Sequence, residues 1–129
     1  MPPHTALIIE DNALNTEVLS LLLSSQNVTP LAITHTADFE QQIADLPAIP
    51  DLIFLDLEIH PTDGFIIHQR LKAIPAVASI PVIAYTVHTS EIEHARRAGF
   101  FSFLAKPLSF DRFPAQLAKL LAGQPVWEA

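Results

Sequence analysis

Five short apolar runs alternate with segments of helical periodicity along the chain. The runs are mostly continuous in their hydrophobicity and are too short for helices: "ALIIE" (6–10), "VTPLAIT" (28–34), "DLIFLD" (51–56), "IPVIAYT" (80–86) and "FFSFLAK" (100–106). Continuous apolar strands are typical of a parallel sheet that is covered on both faces. The alternation therefore predicts an α/β fold with five parallel strands and five helices.

The helical segments each carry one apolar stripe that predicts a buried face. Three groups recur at helical spacing: Leu14, Val18, Leu21 and Leu22; Phe39, Ile43 and Leu46; and Ile67, Leu71 and Ile74.

The last two helices are predicted mainly from their end signals. The fourth spans about 91–98, where Ser90 and Glu93 form a candidate capping box and Gly99 ends the helix. The fifth is expected to be capped near Ser109, and Pro114 predicts an irregular first turn because proline removes a backbone donor.

The order of the strands can be predicted from one proline and the usual winding of such sheets. Apart from Pro81 at the start of the fourth run, the only proline in these runs is Pro30 of the second, and proline inside a strand is typical of sheet edges. An edge position for strand 2 fits the doubly wound, flavodoxin-like order 2-1-3-4-5, which reverses direction between strands 1 and 3. Ligands of such folds bind past the carboxyl ends of the strands at that reversal.

Polar residues follow or end four of the five runs, at what should be one edge of the sheet. Glu10 ends the first run and Asp11 follows it, Asp56 ends the third, Thr86 ends the fourth and Lys106 ends the fifth. Each alone is more commonly a cap, a turn residue or a solvated end, but their joint placement favours a site. Two carboxylates about 5 Å apart repel by roughly 3 kcal/mol at an effective dielectric constant near 20. The cluster therefore predicts a cation, and Mg²⁺ is the plausible occupant because it prefers carboxylate oxygens and keeps several waters.

Composition and charge narrow the classes of function. The 129 residues are 50% hydrophobic and 16% charged, as expected for one domain. All seven Lys and Arg residues lie at or after Arg70, whereas ten of the fourteen acids lie before it. Such an acidic half would repel a phosphate backbone, so direct nucleic-acid binding is not expected. Without an apolar run of about 18 residues or a leader pattern, we expect no membrane span and, by default, a cytoplasmic protein.

Four segments together resemble the receiver domain of two-component response regulators, over about residues 5–122. They are "LIIEDNALN", "DLIFLDLEIHPTDG", "IPVIAYT" and "FFSFLAKPLS". The resemblance implies that Asp56 accepts a phosphoryl group from a histidine of a sensor histidine kinase or a histidine phosphotransfer protein. It also implies that the chain is not itself an enzyme and signals by a phosphorylation-dependent change in partner binding.

The resemblance also implies the metal ligands of the site. Asp11 and Asp56 would bind Mg²⁺ together with the backbone carbonyl of Glu58, and Glu10 would assist through water.

Further roles follow from the same resemblance. Thr86 and Lys106 would bind the phosphoryl oxygens, and Phe103 would be the aromatic switch residue that works with Thr86. The Lys106-Pro107 peptide bond would be cis. The signal would be read by a downstream protein on the face formed by helix 4, strand 5 and helix 5.

The chain departs from the family pattern in two places. His60 stands where a proline is common, with Pro61 following, and Val87 stands where a small residue is usual. His60 and His88 are interpreted as solvated loop residues, although both could approach the mouth of the site.

Two rival functions stay open at this point. The departures lend weight to a pseudo-receiver that binds partners without phosphorylation. A haloacid-dehalogenase-type phosphohydrolase also uses a strand-end aspartate. Such enzymes need a second aspartate two residues later, where this sequence has Glu58, and they carry a cap domain for which this sequence shows no segment.

We expect a receiver domain over residues 1–122 and a short C-terminal tail over 123–129. The remaining "GQPVWEA" is too short for an effector, so the chain is either a stand-alone regulator or a domain of a larger protein. Trp127 is interpreted as part of a linker or as a residue that packs on the domain.

Overall fold

Residues 4–128 are described in a computed structural model of the protein. The strands are β1 (His4–Ile9), β2 (Val28–Ile33), β3 (Leu52–Asp56), β4 (Val82–Thr86), β5 (Ser102–Ala105) and β6 (Trp127–Glu128). The helices are α1 (Ala13–Ser25), α2 (Phe39–Ala44), α3 (Gly64–Lys72), α4 (Ile92–Ala98) and α5 (Phe113–Leu121). A 3₁₀ turn at Thr89–Glu91 precedes α4.

The strands form one parallel sheet in the order β2-β1-β3-β4-β5-β6. The doubly wound order and the edge position of β2 are therefore confirmed, with Pro30 paired to Ala6 on that edge. Helices α2, α3 and α4 cover one face of the sheet, and α1 and α5 cover the other. This arrangement explains why the strands read as continuous apolar runs, since both faces of the central strands are buried.

The predicted number of strands was wrong by one. Trp127 and Glu128 form β6, which pairs with Phe103 and Leu104 of β5. The segment carries too few apolar residues to predict a strand by itself. It becomes one because the outer edge of β5 offers free backbone groups that must find partners.

The predicted apolar stripe of α1 was also partly wrong. Leu19, Leu22 and Leu23 are buried, whereas Leu14 is 67% exposed and Leu21 is 63% exposed. The leucine-rich run admits two overlapping stripes, and packing against the sheet selects one of them. The stripes predicted for α2 and α3 are borne out, with Phe39, Ile43, Ile67 and Leu71 buried and Leu46 and Ile74 partly buried.

The ends of the last two helices differ in detail from the expectation. The predicted span of α4 agrees, and Gly99 ends it with a positive φ, but the N-cap residue is Glu91 and no side chain caps it. The 3₁₀ turn that contains Ser90 replaces the expected capping box. The Ser109 hydroxyl accepts a hydrogen bond from Arg112 N at 3.2 Å, and Pro114 lies in the first turn of α5, where proline is tolerated.

None of the helices within residues 4–128 is long and apolar enough to cross a membrane.

Candidate functional site

The register of the sheet brings the expected polar residues to one edge. The carboxyl ends of β1, β3, β4 and β5 are aligned by their pairing. Glu10 directly follows β1, Asp56 ends β3, Thr86 ends β4 and Lys106 directly follows β5. Glu10 and Asp56 flank the reversal of winding between β1 and β3, where sheets of this kind bind ligands, and Thr86 and Lys106 lie at the next two strand ends.

Three carboxylates meet at this edge. One oxygen each from Glu10, Asp11 and Asp56 lies within 4.8 Å of the others. Glu10 and Asp56 are buried, whereas Asp11 is exposed. The next loop orients two of these acids, since Asp56 Oδ1 accepts from Glu58 N at 3.0 Å and Asp11 Oδ2 accepts from His60 N at 3.1 Å.

Lys106 supplies the positive charge beside this cluster. Its Nζ lies 3.0 Å from Glu10 Oε1 and 3.5 Å from Asp56 Oδ1, and its side chain is only 12% exposed. The same ammonium lies 4.4 Å from the centroid of the Tyr85 ring. One ammonium facing three carboxylates leaves the cluster net negative.

Burial and the neighbouring carboxylate both act on the protonation of Glu10. Burial, followed by the neighbouring Asp56 carboxyl group, raises the pKa of Glu10 to about 7, against the opposing effect of Lys106. The Oε2 atom of Glu10 is buried and has no hydrogen-bond partner within the described part of the chain. An all-carboxylate set with an unsatisfied buried oxygen is the donor chemistry that a hard divalent cation such as Mg²⁺ prefers. The residues therefore fit a magnesium ion.

Thr86 lies at the expected strand end, but its hydroxyl is oriented toward the α4 side. Its Oγ1 accepts a hydrogen bond from His88 N at 3.1 Å. Thr86 lines a cavity of about 290 Å³ together with Glu58 and His88. A second cavity of about 590 Å³ is the one that contains Asp56 and Lys106. In this conformation the hydroxyl bonds the backbone of its own loop.

The side chain of Glu58 is held away from the carboxylate cluster. Glu58 Oε1 lies 2.9 Å from His88 Nε2 across the two loops that follow β3 and β4. The His88 side chain is 55% exposed, as expected of a loop histidine, and yet it has this partner. The Glu58 side chain is thus engaged elsewhere. The group that the family resemblance assigns to the metal is the backbone carbonyl of Glu58.

The mouth of the larger cavity is apolar. Leu14, Val87 and Phe110 are 67%, 57% and 68% exposed, and all three line it. Val87, the bulky residue at a position where the family usually has a small one, therefore lines the same cavity as Asp56. Leu14 is exposed because it lies at this cavity and not against the core of the sheet.

Phe103 lies in the core of the sheet. It is fully buried, belongs to the cluster that includes Ala95 and Phe100, and pairs in register with Trp127. Its role as a switch stays a prediction.

Two proline peptide bonds beside the site are cis. Lys106-Pro107 is cis, as the family resemblance implies. The other is His60-Pro61, at the position where the chain departs from the family pattern.

Sequence reasoning missed two features of the site. The Tyr85 ring supports Lys106, and its buried hydroxyl has no partner among the atoms of residues 4–128. Burial and the nearby carboxylates raise the pKa of this phenol above its usual range, so Tyr85 stays neutral. Tyr85 lies within a continuous apolar run that gives no sign of a functional role, and the contact between His88 and Glu58 depends on two loops that meet only in the fold.

Known proteins share this architecture. The family model described as "Response regulator receiver domain" matches residues 6–118. A protein-glutamate methylesterase/protein-glutamine glutaminase of Myxococcus xanthus is 30% identical over 122 residues, which cover 91% of this chain and 34% of that protein.

Solved structures agree with this match. A putative response regulator from Chloroflexus aurantiacus superimposes with a TM-score of 0.81 and 25% identity, covering 93% of this chain and 98% of that one. The receiver domain of a sensor histidine kinase from Pseudomonas aeruginosa, described with a magnesium ion in its active-site cleft, has a TM-score of 0.75 and 23% identity and covers 92% and 94%.

The likeness to curated proteins is confined to one part of each. The chain spans between 13% and 44% of the length of the curated relatives compared with it. The match to the family model nevertheless runs from within β1 to within α5 and includes every strand end of the site. The chain belongs to the response regulator receiver domain family.

Proposed function

We propose that Asp56 is the phosphoacceptor of this receiver domain. The observation that carries the proposal is the position of its carboxylate, 3.5 Å from Lys106 Nζ and clustered with Glu10 and Asp11, in a cavity of about 590 Å³. Phosphoryl transfer depends mainly on positioning and on the neutralisation of oxygen charge. A carboxylate beside an ammonium and a cation-binding cluster meets both needs.

The proposed reaction is a transfer from a phosphohistidine. An oxygen of Asp56 attacks phosphorus, the bond from phosphorus to the imidazole nitrogen breaks, and the electron pair stays on that nitrogen. The product is an acyl phosphate on Asp56. Lys106 needs only a small movement from its contact at 3.5 Å to donate to a phosphoryl oxygen.

We assign the metal ligands to Asp11, Asp56 and the carbonyl of Glu58, with Glu10 acting through water. A bound Mg²⁺ would offset the charge of the carboxylates and of the incoming phosphoryl oxygens. The unsatisfied Oε2 of Glu10 and the neighbouring oxygens of Asp11 and Asp56 support this assignment.

The conformational change that would signal phosphorylation begins at Thr86. Its hydroxyl has to leave His88 N in order to bond a phosphoryl oxygen on Asp56, and that movement would disturb the loop before α4. We propose that Phe103 responds through the core on which α4 packs, so that a partner reads the change on the face of α4, β5 and α5. A ligand can shift such an equilibrium only by its differential affinity for the two states, which the Thr86 bond would supply.

The proposed partners are a sensor histidine kinase or a histidine phosphotransfer protein upstream and a signalling protein downstream. The apolar rim formed by Leu14, Val87 and Phe110 around the cavity supports docking of a protein donor there. The net charge of −7 supports a role without direct nucleic-acid contact in this domain. We place this signalling role in the cytoplasm and in residues 1–122, without catalytic turnover of a substrate.

The assignment can be tested with a small phosphodonor. Acetyl phosphate with Mg²⁺ should label the protein once, and Asp56→Asn should abolish the label. Asp45→Asn is the matched control, since it removes the same charge from the exposed residue that caps the C-terminal end of α2. Label that persists on another residue of Asp56→Asn would contradict the assignment. A pseudo-receiver would form no adduct, and a phosphohydrolase would turn the donor over continuously.

A further inference from the structure

The outer edge of β5 is occupied by the chain's own C-terminal segment. Phe103 N donates to Val126 O at 2.9 Å, and Val126 N donates to the hydroxyl of the buried Ser102 at 2.8 Å. Trp127 and Glu128 then pair in parallel with β5. The edge thus binds an extended segment through its backbone, as sheets do when they accept an added strand.

The side chains of this segment each have their own contacts on the domain. Val126 is only 6% exposed and belongs to the apolar cluster beneath α1 and α5. Trp127 packs on the opposite face, with the Arg96 guanidinium carbon 4.3 Å from its ring centroid. Alternation of side chains along a strand explains why these neighbours reach opposite faces.

Glu128, the last described residue of the segment, is bound through its carboxylate. Glu128 Oε1 accepts from Arg112 Nη1 at 2.8 Å, and Glu128 Oε2 accepts from Gln116 Nε2 at 3.1 Å. The edge of β5 therefore selects an apolar residue, an aromatic residue and an acid in consecutive positions.

Within residues 4–128, the chain's own strand pairs with part of this edge. β6 pairs with two of the four residues of β5. The Arg112 side chain is 66% exposed, so its ion pair with Glu128 is screened by solvent. An extended segment of another protein with the same pattern could make the same backbone and side-chain contacts along β5.

We propose that the edge of β5, with Arg96, Arg112 and Gln116, is a docking site for an extended peptide segment of apolar–aromatic–acidic pattern. Residues 126–128 hold the site until such a segment from a partner protein displaces them. The site lies on the face of α4, β5 and α5, but binding there requires no phosphorylation of Asp56. It can therefore exist even if the proposed phosphoacceptor function fails.

Peptide binding to the full chain tests this proposal. One fluorescein-labelled peptide has the sequence of residues 123–129 with Phe at the Trp127 position, and a matched peptide also has Lys at the Glu128 position. Each is titrated by anisotropy into the wild-type chain, Glu128→Lys and Arg112→Glu. Emission of Trp127, the one tryptophan of the chain, reports release of the native strand in the same samples.

The expected results follow from competition and charge. Glu128→Lys should bind the acidic peptide about tenfold more tightly than the lysine peptide, and Arg112→Glu should invert that preference. The wild-type chain should bind more weakly than Glu128→Lys, because its own strand competes at an effective concentration of about 1 mM. Saturating peptide should shift the wild-type Trp127 emission to the red.

Three results would overturn the proposal. They are no binding to Glu128→Lys near the same effective concentration, no inversion of preference in Arg112→Glu, and binding to the wild-type chain without a change in Trp127 emission.

Discussion

Removal of the charge of Asp56 should stabilise the metal-free protein. The Asp56 carboxylate lies within 4.8 Å of oxygens of Glu10 and Asp11. At that distance and an effective dielectric constant near 20, each pair repels by about 3 kcal/mol. Attraction to Lys106 Nζ at 3.5 Å offsets about 5 kcal/mol of this repulsion.

The balance predicts the direction and size of the effect. Asp56→Asn keeps an oxygen acceptor for Glu58 N and should raise the free energy of unfolding by about 1 to 2 kcal/mol without Mg²⁺. The measurement belongs at pH 8, because the pKa of Glu10 is about 7 and the repulsion requires its ionised form.

Magnesium should reduce the stability advantage of Asp56→Asn over the wild-type chain. Mg²⁺ at ten times its dissociation constant stabilises the wild-type chain by about 1.4 kcal/mol, and Asp56→Asn should gain less because it lacks one ligand. Urea unfolding followed by Trp127 emission, in EDTA and in MgCl₂, measures both effects. Asp45→Asn removes an equal charge while an oxygen remains to accept from Gln41, so it should respond to magnesium like the wild-type chain.

Two results would refute this reasoning. Destabilisation of metal-free Asp56→Asn would mean that Lys106 dominates the cluster. Equal stabilisation of wild type and Asp56→Asn by Mg²⁺ would mean that the ion binds elsewhere.

Three other predictions concern access, pH and the readout. Val87→Ala should speed labelling of Asp56 by acetyl phosphate and shorten the lifetime of the phosphoaspartate, with each tenfold change equal to about 1.4 kcal/mol of barrier; unchanged rates would show that the side chain does not limit access. Burial, followed by the charge of Lys72, lowers the pKa of His68 to about 4, so His68 is neutral in the folded state. Stability from the neutral form is complete above the unfolded pKa near 6.5 and should fall by about 3 kcal/mol as the pH drops to 4. His68→Phe should remove that part of the pH dependence in urea titrations, and an unchanged slope would contradict it. Beryllofluoride with Mg²⁺ should shift amide resonances over residues 87–113, whereas shifts confined to the loops around Asp56 would argue against the readout.

The sequence alone determined the order of the first five strands and the residues at their ends. Short, continuous apolar runs are typical of strands that are covered on both faces, and Pro30 favours an edge position for the second one. Glu10, Asp11, Asp56 and Lys106 follow from the same reasoning, since parallel strands bring their carboxyl ends to one edge. The local pattern sufficed here because the position of each residue along its strand decides which edge of a parallel sheet it reaches.

Only the tertiary structure decided which side chains meet across loops and edges. Leu14 and Leu21 fit a helical stripe as well as Leu19 and Leu23 do, and packing against the sheet selected the latter pair. The contact between Glu58 and His88 likewise joins the two loops that follow β3 and β4.

The sixth strand shows this limit most clearly. "VWE" is too short to predict a strand, and its conformation comes from the unpaired backbone of β5, more than twenty residues earlier in the chain. Hydrogen bonds between strands and contacts between loops join residues that are distant in sequence. Local periodicity carries no information about such partners, so the occupied edge of β5 could be found only in the folded chain.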